Sequence, residues 1–216
     1  MKYFTSLFLW LCLVAPAMAY QLTVTEVDEP YEIVPIAVDE FNKQVQLGTL
    51  NNFPVMYEFV IDSTTELSFQ LSEVARIEPT GFSLMLVRQN DDDGGVTEVV
   101  RQPGNENAWT RLKDSVYGLT FLEGEKLVQE LTPGMYRLEV STPVNIGSYR
   151  LTIGSESDPL GYFATVGQVR TTQAHFGYSI VRMLMSSYVY YPLGIIFLLL
   201  IIHRTWKYRN VIKYDS

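Results

Sequence analysis

The six residues Asn90 to Gly95, "NDDDGG", carry the densest oxygen-donor chemistry in the chain: the carboxylates Asp91, Asp92 and Asp93, then glycines that let a backbone turn. Hard oxygen donors of this kind are calcium ligands, and calcium is the one cofactor the sequence suggests. The spacing differs from that of an EF-hand, and neighbouring carboxylates on a strand point to opposite faces, so a solvated hairpin tip is the competing reading. Nucleophilic catalysis needs a base beside a hydroxyl or thiol. The chain holds two histidines, His175 and His203, near its apolar C-terminal stretch, and one cysteine, Cys12, inside an apolar N-terminal one. The middle of the chain therefore lacks the residues for a Ser-His-Asp site or a cysteine-ligated zinc. Carboxylates are plentiful, which leaves a carboxylate-pair hydrolase open without singling out a pair. Trp109 and Tyr117 are the aromatics that suit a ligand-binding surface, such as one for sugars. No residue is assigned a catalytic role, and the chain is expected not to be an enzyme.

The two ends explain where such residues must be held. In "MKYFTSLFLWLCLVAPAMAY", Lys2 precedes an apolar run from Leu7 to Val14 and the small residues Ala17 and Ala19, the layout of a secretory signal peptide over 1–19. Cleavage after Ala19 leaves no cysteine, and the chain has no N-x-S/T sequon, which together favour a bacterial envelope. Near the other end, 183–202 is uncharged between Arg182 and His203-Arg204. As a helix these twenty residues would reach about 30 Å, the thickness of a hydrocarbon core. Tyr188, Tyr190 and Tyr191 at one end and Trp206 and Tyr208 at the other form interfacial belts. Pro192 lacks an N–H and leaves the Tyr188 carbonyl without its helical partner, so the helix runs through Pro192 with a kink or the segment is only partly inserted. Arg204, Lys207, Arg209 and Lys213 keep the tail, 203–216, cytoplasmic.

Between Tyr20 and Arg182 there are 11 basic and 23 acidic residues, a net charge of −12. That face will not hold nucleic acid by electrostatics. Period-two alternation dominates it. Tyr57, Phe59 and Ile61, then Leu67, Phe69 and Leu71, then Phe82, Leu84 and Leu86 alternate with polar or outward residues. Turns at "DSTTE", "IEPTG", "NDDDGG", "RQPGNEN" and "FLEGE" break about eight short strands, which reads as an all-β, antiparallel, jelly-roll-like sandwich over 20–158. The near-repeat "GMYRLEV" (134–140) and "GSYRLTI" (147–153) points Tyr136, Leu138, Val140, Tyr149, Leu151 and Ile153 inward, with Arg137, Glu139, Arg150 and Thr152 outward. The linking "STPVNI" predicts a hairpin in which the two strands pair. In "LTPGMY", Pro133 and Gly134 shape a turn that lets the Tyr136 hydroxyl bond back to the upstream backbone as a tyrosine corner.

The runs "LGTLNNFPVMYEFVIDSTTELSFQL" and "LVQELTPGMYRLEVSTPVNIGSYRLTIG" resemble the bacterial pre-peptidase C-terminal type of jelly-roll domain over about residues 45–154. The resemblance implies an accessory or binding module. A weaker likeness, to GOLD-domain cargo receptors, lacks the cysteine pair, the heptad segment and the dibasic ending. In 159–182, Phe163, Val166, Val169, Phe176 and Ile180 fall near helical spacing. That segment is expected to lie on the membrane surface, to meet a partner helix, or to pack under the sandwich as an ordered linker. The whole is read as a type I single-pass membrane protein of the bacterial cell envelope, with a non-catalytic binding or assembly module outside. A membrane-protein partner at the span or juxtamembrane segment is expected. Carbohydrate or cell-surface recognition and a membrane-anchored hydrolase are the alternatives.

Overall fold

The computed structural model describes residues 17–18, 21–38, 43–76, 80–90, 94–104, 109–154 and 159–212. The alternating sequence folds into strands β1 (Ala17–Met18), β2 (Gln21–Thr25), β3 (Ile33–Pro35), β4 (Gln44–Asn51), β5 (Val55–Ile61), β6 (Thr65–Val74) and β7 (Ser83–Gln89). Then follow β8 (Val96–Gln102), β9 (Thr110–Asp114), β10 (Leu119–Glu123), β11 (Leu127–Leu131), β12 (Gly134–Ser141), β13 (Ile146–Ile153) and β14 (Pro159–Leu160). Two helices close the chain, α1 (Tyr162–His175) and α2 (Ser187–Ile212), with a 3-10 turn at Ile180–Met185 between them.

Twelve of the strands form a sandwich of two sheets, while β1 and β14 pair with each other as a separate two-stranded sheet. One runs β2-β4-β13-β6-β10-β9, with β11 continuing the edge of β6 beyond β10; the other runs β3-β5-β12-β7-β8. Most pairs are antiparallel, as the turn-rich sequence predicts, but β2 pairs β4 and β3 pairs β5 in parallel. Both sheets are therefore mixed. The alternating residues meet in the gap between them: Tyr57, Phe59, Phe69, Leu71, Phe82, Leu84, Tyr136, Leu138, Tyr149 and Leu151 are all buried there. Each fully buried side chain of this size contributes on the order of 2 kcal/mol. The tyrosine corner forms as expected: Gly134 opens β12 at φ 153 and the Tyr136 hydroxyl donates to the Thr132 carbonyl at 2.8 Å.

The predicted hairpin does not. β12 pairs with β5 and β7 while β13 pairs with β4 and β6, so the repeated strands lie in opposite sheets and face each other across the core. The link is an arch rather than a hairpin. Asn145 sits at φ 50, its side chain accepts from the Thr142 N–H at 3.1 Å, and its own N–H donates to the Thr142 carbonyl at 3.1 Å. Inward tyrosines at matching positions satisfy either arrangement, because both place them in the same core.

A second apolar cluster lies on the outer face of the larger sheet. Val45, Leu47, Val74, Tyr117, Leu119 and Phe121 from β4, β6, β10 and the β9–β10 turn pack against Val169 and Phe176 at the far end of the chain. Part of 159–182 is ordered against the sandwich. α1 buries Thr165, Val169, Thr172 and Gln173. Phe163 and Ile180, which share the helical spacing, point away from the sheet.

Candidate functional site: the socket at the start of the apolar helix

The site is built on one turn, Ser115–Gly118, between β9 and β10. Asp114, the last residue of β9, folds its side chain forward, and Oδ1 accepts from the backbone N–H groups of Val116 and Tyr117 at 2.9 and 3.2 Å. This is the Asx-turn habit of aspartate. The turn then offers four successive carbonyls. The Ser187 N–H donates to Ser115 at 2.8 Å, the Ser186 hydroxyl donates to Val116, the Gln173 amide donates to Tyr117 at 2.7 Å, and the Arg182 guanidinium donates to Gly118 at 3.1 Å. All four donors come from the stretch that links the sandwich to α2. Gly118 stands at φ 62, and a Cβ there would fall 2.6 Å from the Met185 carbonyl carbon, so both backbone and packing require glycine.

Ser186 works in two directions. Its Oγ also accepts from the Tyr188 N–H at 3.3 Å, while the Val189 and Tyr190 N–H groups reach its carbonyl. It is the N-cap of α2. One buried hydroxyl thus caps the apolar helix and ties it to the sheet.

Pro192 supplies the second tie. α2 runs unbroken through Pro192 from Ser187 to Ile212, and the missing N–H leaves the Tyr188 carbonyl to find another donor. The Tyr162 hydroxyl, from the first turn of α1, donates to it at 2.6 Å. The rings of Tyr162 and Tyr188 lie 6.0 Å apart. A defect in one helix becomes the attachment point for the other.

Behind the turn is a buried charge. Arg150 on β13, expected in solvent, has a side chain only 7 % exposed. It donates to Glu123 at 2.7 Å and to the Ser72 hydroxyl at 3.0 Å, pairs with Asp114 at 3.5 Å, and lies 3.9 Å above the Phe121 ring. Arginine suits this place because its planar fork serves several acceptors while its face stacks on an aromatic. Nearby, burial lowers the pKa of the Lys43 ammonium, and the Arg150 charge lowers it further. His175, closing α1, has Nε2 3.1 Å from the Gly48 carbonyl, and burial lowers its pKa below the ordinary value of 6.5.

Of the residues singled out from the sequence, Tyr117 alone meets the socket, through its backbone carbonyl. Tyr117 is within the socket turn, but its ring is 3 % exposed, edge-on to Phe121 in the outer cluster. Trp109 is half-buried against the inter-sheet core. The two are in different cores and do not share a surface. Asp91, Asp92 and Asp93 lie outside the described residues. Among the described residues no three His, Cys, Asp or Glu side chains group as a metal site. The convergent carboxylates Asp114 and Glu123 are both engaged by Arg150. A groove of about 530 Å³ between β2, β4 and α1 is lined by Glu26, Thr49, Arg170, Thr171 and His175. Sequence reasoning missed the socket because its acceptors are backbone carbonyls, which no residue type announces. The legible signals were Pro192, which orphans a carbonyl, and the Ser pair before the apolar run.

No protein-family model and no curated protein matches the chain. Among solved structures it is similar to the pre-peptidase C-terminal domain of a collagenase from Bacillus anthracis, at 15 % identity and TM-score 0.37 over 59 % of this chain and 98 % of that one. It is also similar to PliG from Aeromonas hydrophila, a periplasmic lysozyme inhibitor of g-type lysozyme, at 10 % identity and TM-score 0.34 over 63 % and 98 %. A β-glucosidase from Paenibacillus barengoltzii matches at 10 % identity and TM-score 0.27 over 64 % of this chain and 13 % of that one. The first is the domain type that the motifs in 45–154 resemble. At these scores the three add nothing to what the chain's own residues say of function.

Proposed function

We propose that the chain is a type I single-pass membrane protein of a bacterial envelope, whose exported sandwich is a non-catalytic assembly module held at a fixed attitude to its membrane helix. The observation that carries this reading is the socket: four consecutive carbonyls of one turn engaged by the segment that leads into α2. A flexible tether would suffice to keep a domain near a membrane. Such a linker needs no buried contacts, whereas this one inserts Val169, Phe176, Gln173 and Ser186 into the sandwich. Rigid attachment serves a protein that must present one face to a neighbour in the same membrane. α2 favours the membrane assignment, with a candidate span at Ser187–Tyr208, mean hydropathy 1.5 and none of it buried inside the protein. At 1.5 Å per residue those 22 residues cover about 33 Å. The basic tail favours the orientation.

The test is photocrosslinking in native membranes from positions on the exposed faces of α2 and α1, followed by recovery of the full-length chain. The reading expects the chain in the membrane fraction, its tail protected from protease added to spheroplasts, and one crosslinked membrane protein recovered repeatedly. Recovery of the processed chain in the soluble fraction, or digestion of its tail in intact spheroplasts, overturns it.

A further inference from the structure

The 3-10 turn Ile180–Met185 has two unlike sides. Arg182, its one charged residue, is turned back onto the sandwich, bonded to the Gly118 carbonyl with its guanidinium 5.1 Å from the Tyr178 ring. Ile180, Val181 and Leu184 stand on the other rows of the turn, and with Met185, whose Cβ lies beside Gly118, they are 51 to 66 % exposed. The first turn of α1 holds Phe163, 87 % exposed, its ring 5.4 Å from that of Tyr162. Tyr162 is the residue bonded to Tyr188 in the first turn of α2. Five large apolar side chains are thus exposed on the two segments that adjoin the start of α2.

We propose that these five residues form a collar seated in the lipid interface, so that the sandwich rests on the bilayer instead of standing above it. This rests on α2 crossing the membrane. The occupant is lipid because the collar is continuous with the span: Met185 is two residues from the start of α2, and Phe163 connects to α2 through Tyr162. Apolar and aromatic side chains at the end of a span settle in the headgroup and upper acyl region, about 5–10 Å deep. Charge points the same way. With a net charge of −12 between Tyr20 and Arg182, the exported part gains nothing from an anionic surface, so seating it takes apolar insertion. The bonds of Arg182 and Ser186 to the turn keep the collar pointing outward, which makes insertion a property of the folded sandwich rather than of a loose linker.

The experiment uses the full-length chain in phosphatidylcholine vesicles, with single cysteines at 163, 181, 184, 198 and 128 carrying an environment-sensitive fluorophore in a Cys12→Ser background. Lipids bearing a quencher high or low on the acyl chain report depth. Val128 on β11 is exposed at the far end of the sandwich, since β11 pairs with Thr65–Phe69 of β6 and β10 with Ser72–Val74. The collar predicts loss of fluorescence at 163, 181 and 184 with the shallow quencher, loss at 198 with the deep one, and none at 128. Loss at 198 without loss at the three collar sites overturns the collar and leaves the span standing. A collar shielded from water yet unquenched by lipid, as in contact with a second copy, also overturns it. No loss at 198 overturns the span and the collar with it.

Discussion

Arg150 is a buried cation that ties β13 to β6, β9 and β10 through Ser72, Asp114 and Glu123. It takes up two carboxylates, Asp114 and Glu123, and one of them also shapes the socket turn. Replacing Arg150 with Met leaves both acids without their cation in a partly buried place, and the expected cost is about 2 kcal/mol or more. Thermal unfolding of the full chain in micelles measures it. Gly118→Ala should cost about 1–3 kcal/mol by the same assay, because the backbone is left-handed there and the new methyl meets Met185. The half-buried His175 gives a pH dependence whose sign is fixed by the lowered pKa. Its folded state resists a proton that the unfolded state accepts below about pH 6.5, so the unfolded chain binds more protons and stability falls as pH drops below that value. Glu26 opposes this weakly, as its charge favours the protonated ring. His175→Gln should flatten the slope between pH 7 and 5 in a series of melting curves. These residues were partly visible beforehand: Tyr136 announced its corner through the turn before it, whereas Arg150, in an alternating strand, gave no sign that its outward face would be covered.

At the scale of elements, α1 and α2 are joined through an absence. Pro192 takes an N–H away from the Tyr188 carbonyl, and Tyr162 gives a hydroxyl in its place. Tyr162→Phe alone should destabilise by about 1 kcal/mol, the net worth of one hydrogen bond. Pro192→Ala restores the backbone donor and should rescue the loss in the double variant. A double-mutant cycle on melting temperatures checks this, and simple additivity would deny the coupling. Alternation fixed which residues of β5, β6, β7, β12 and β13 face inward, since a period of two survives whichever sheet a strand joins. It could not separate a hairpin from an arch, because "STPVNI" fits either and the choice rests on hydrogen-bonding edges. The helical spacing of 159–182 was also legible, but not the face that docks. Val169 and Phe176 reach the sheet, while much of the buried surface of α1 comes from Thr165, Thr172 and Gln173.

On the scale of the whole molecule, the chain reads as a sandwich whose outer sheet, socket turn and apolar helix are one continuous piece. From Arg150 through Asp114 to the turn, and from the turn to Ser186 and α2, each step is a hydrogen bond or ion pair. A force or displacement felt on α2 would then reach the centre of the larger sheet without crossing a flexible joint. The most direct measurement is the distance distribution between spin labels at 128, on the far end of the sandwich, and 201, within α2, in the full-length chain reconstituted in nanodiscs. A continuous piece predicts a single narrow distribution, broadened when Gly118→Ala loosens the socket. A broad distribution in the unaltered chain would contradict it, since a domain on a free tether samples many distances.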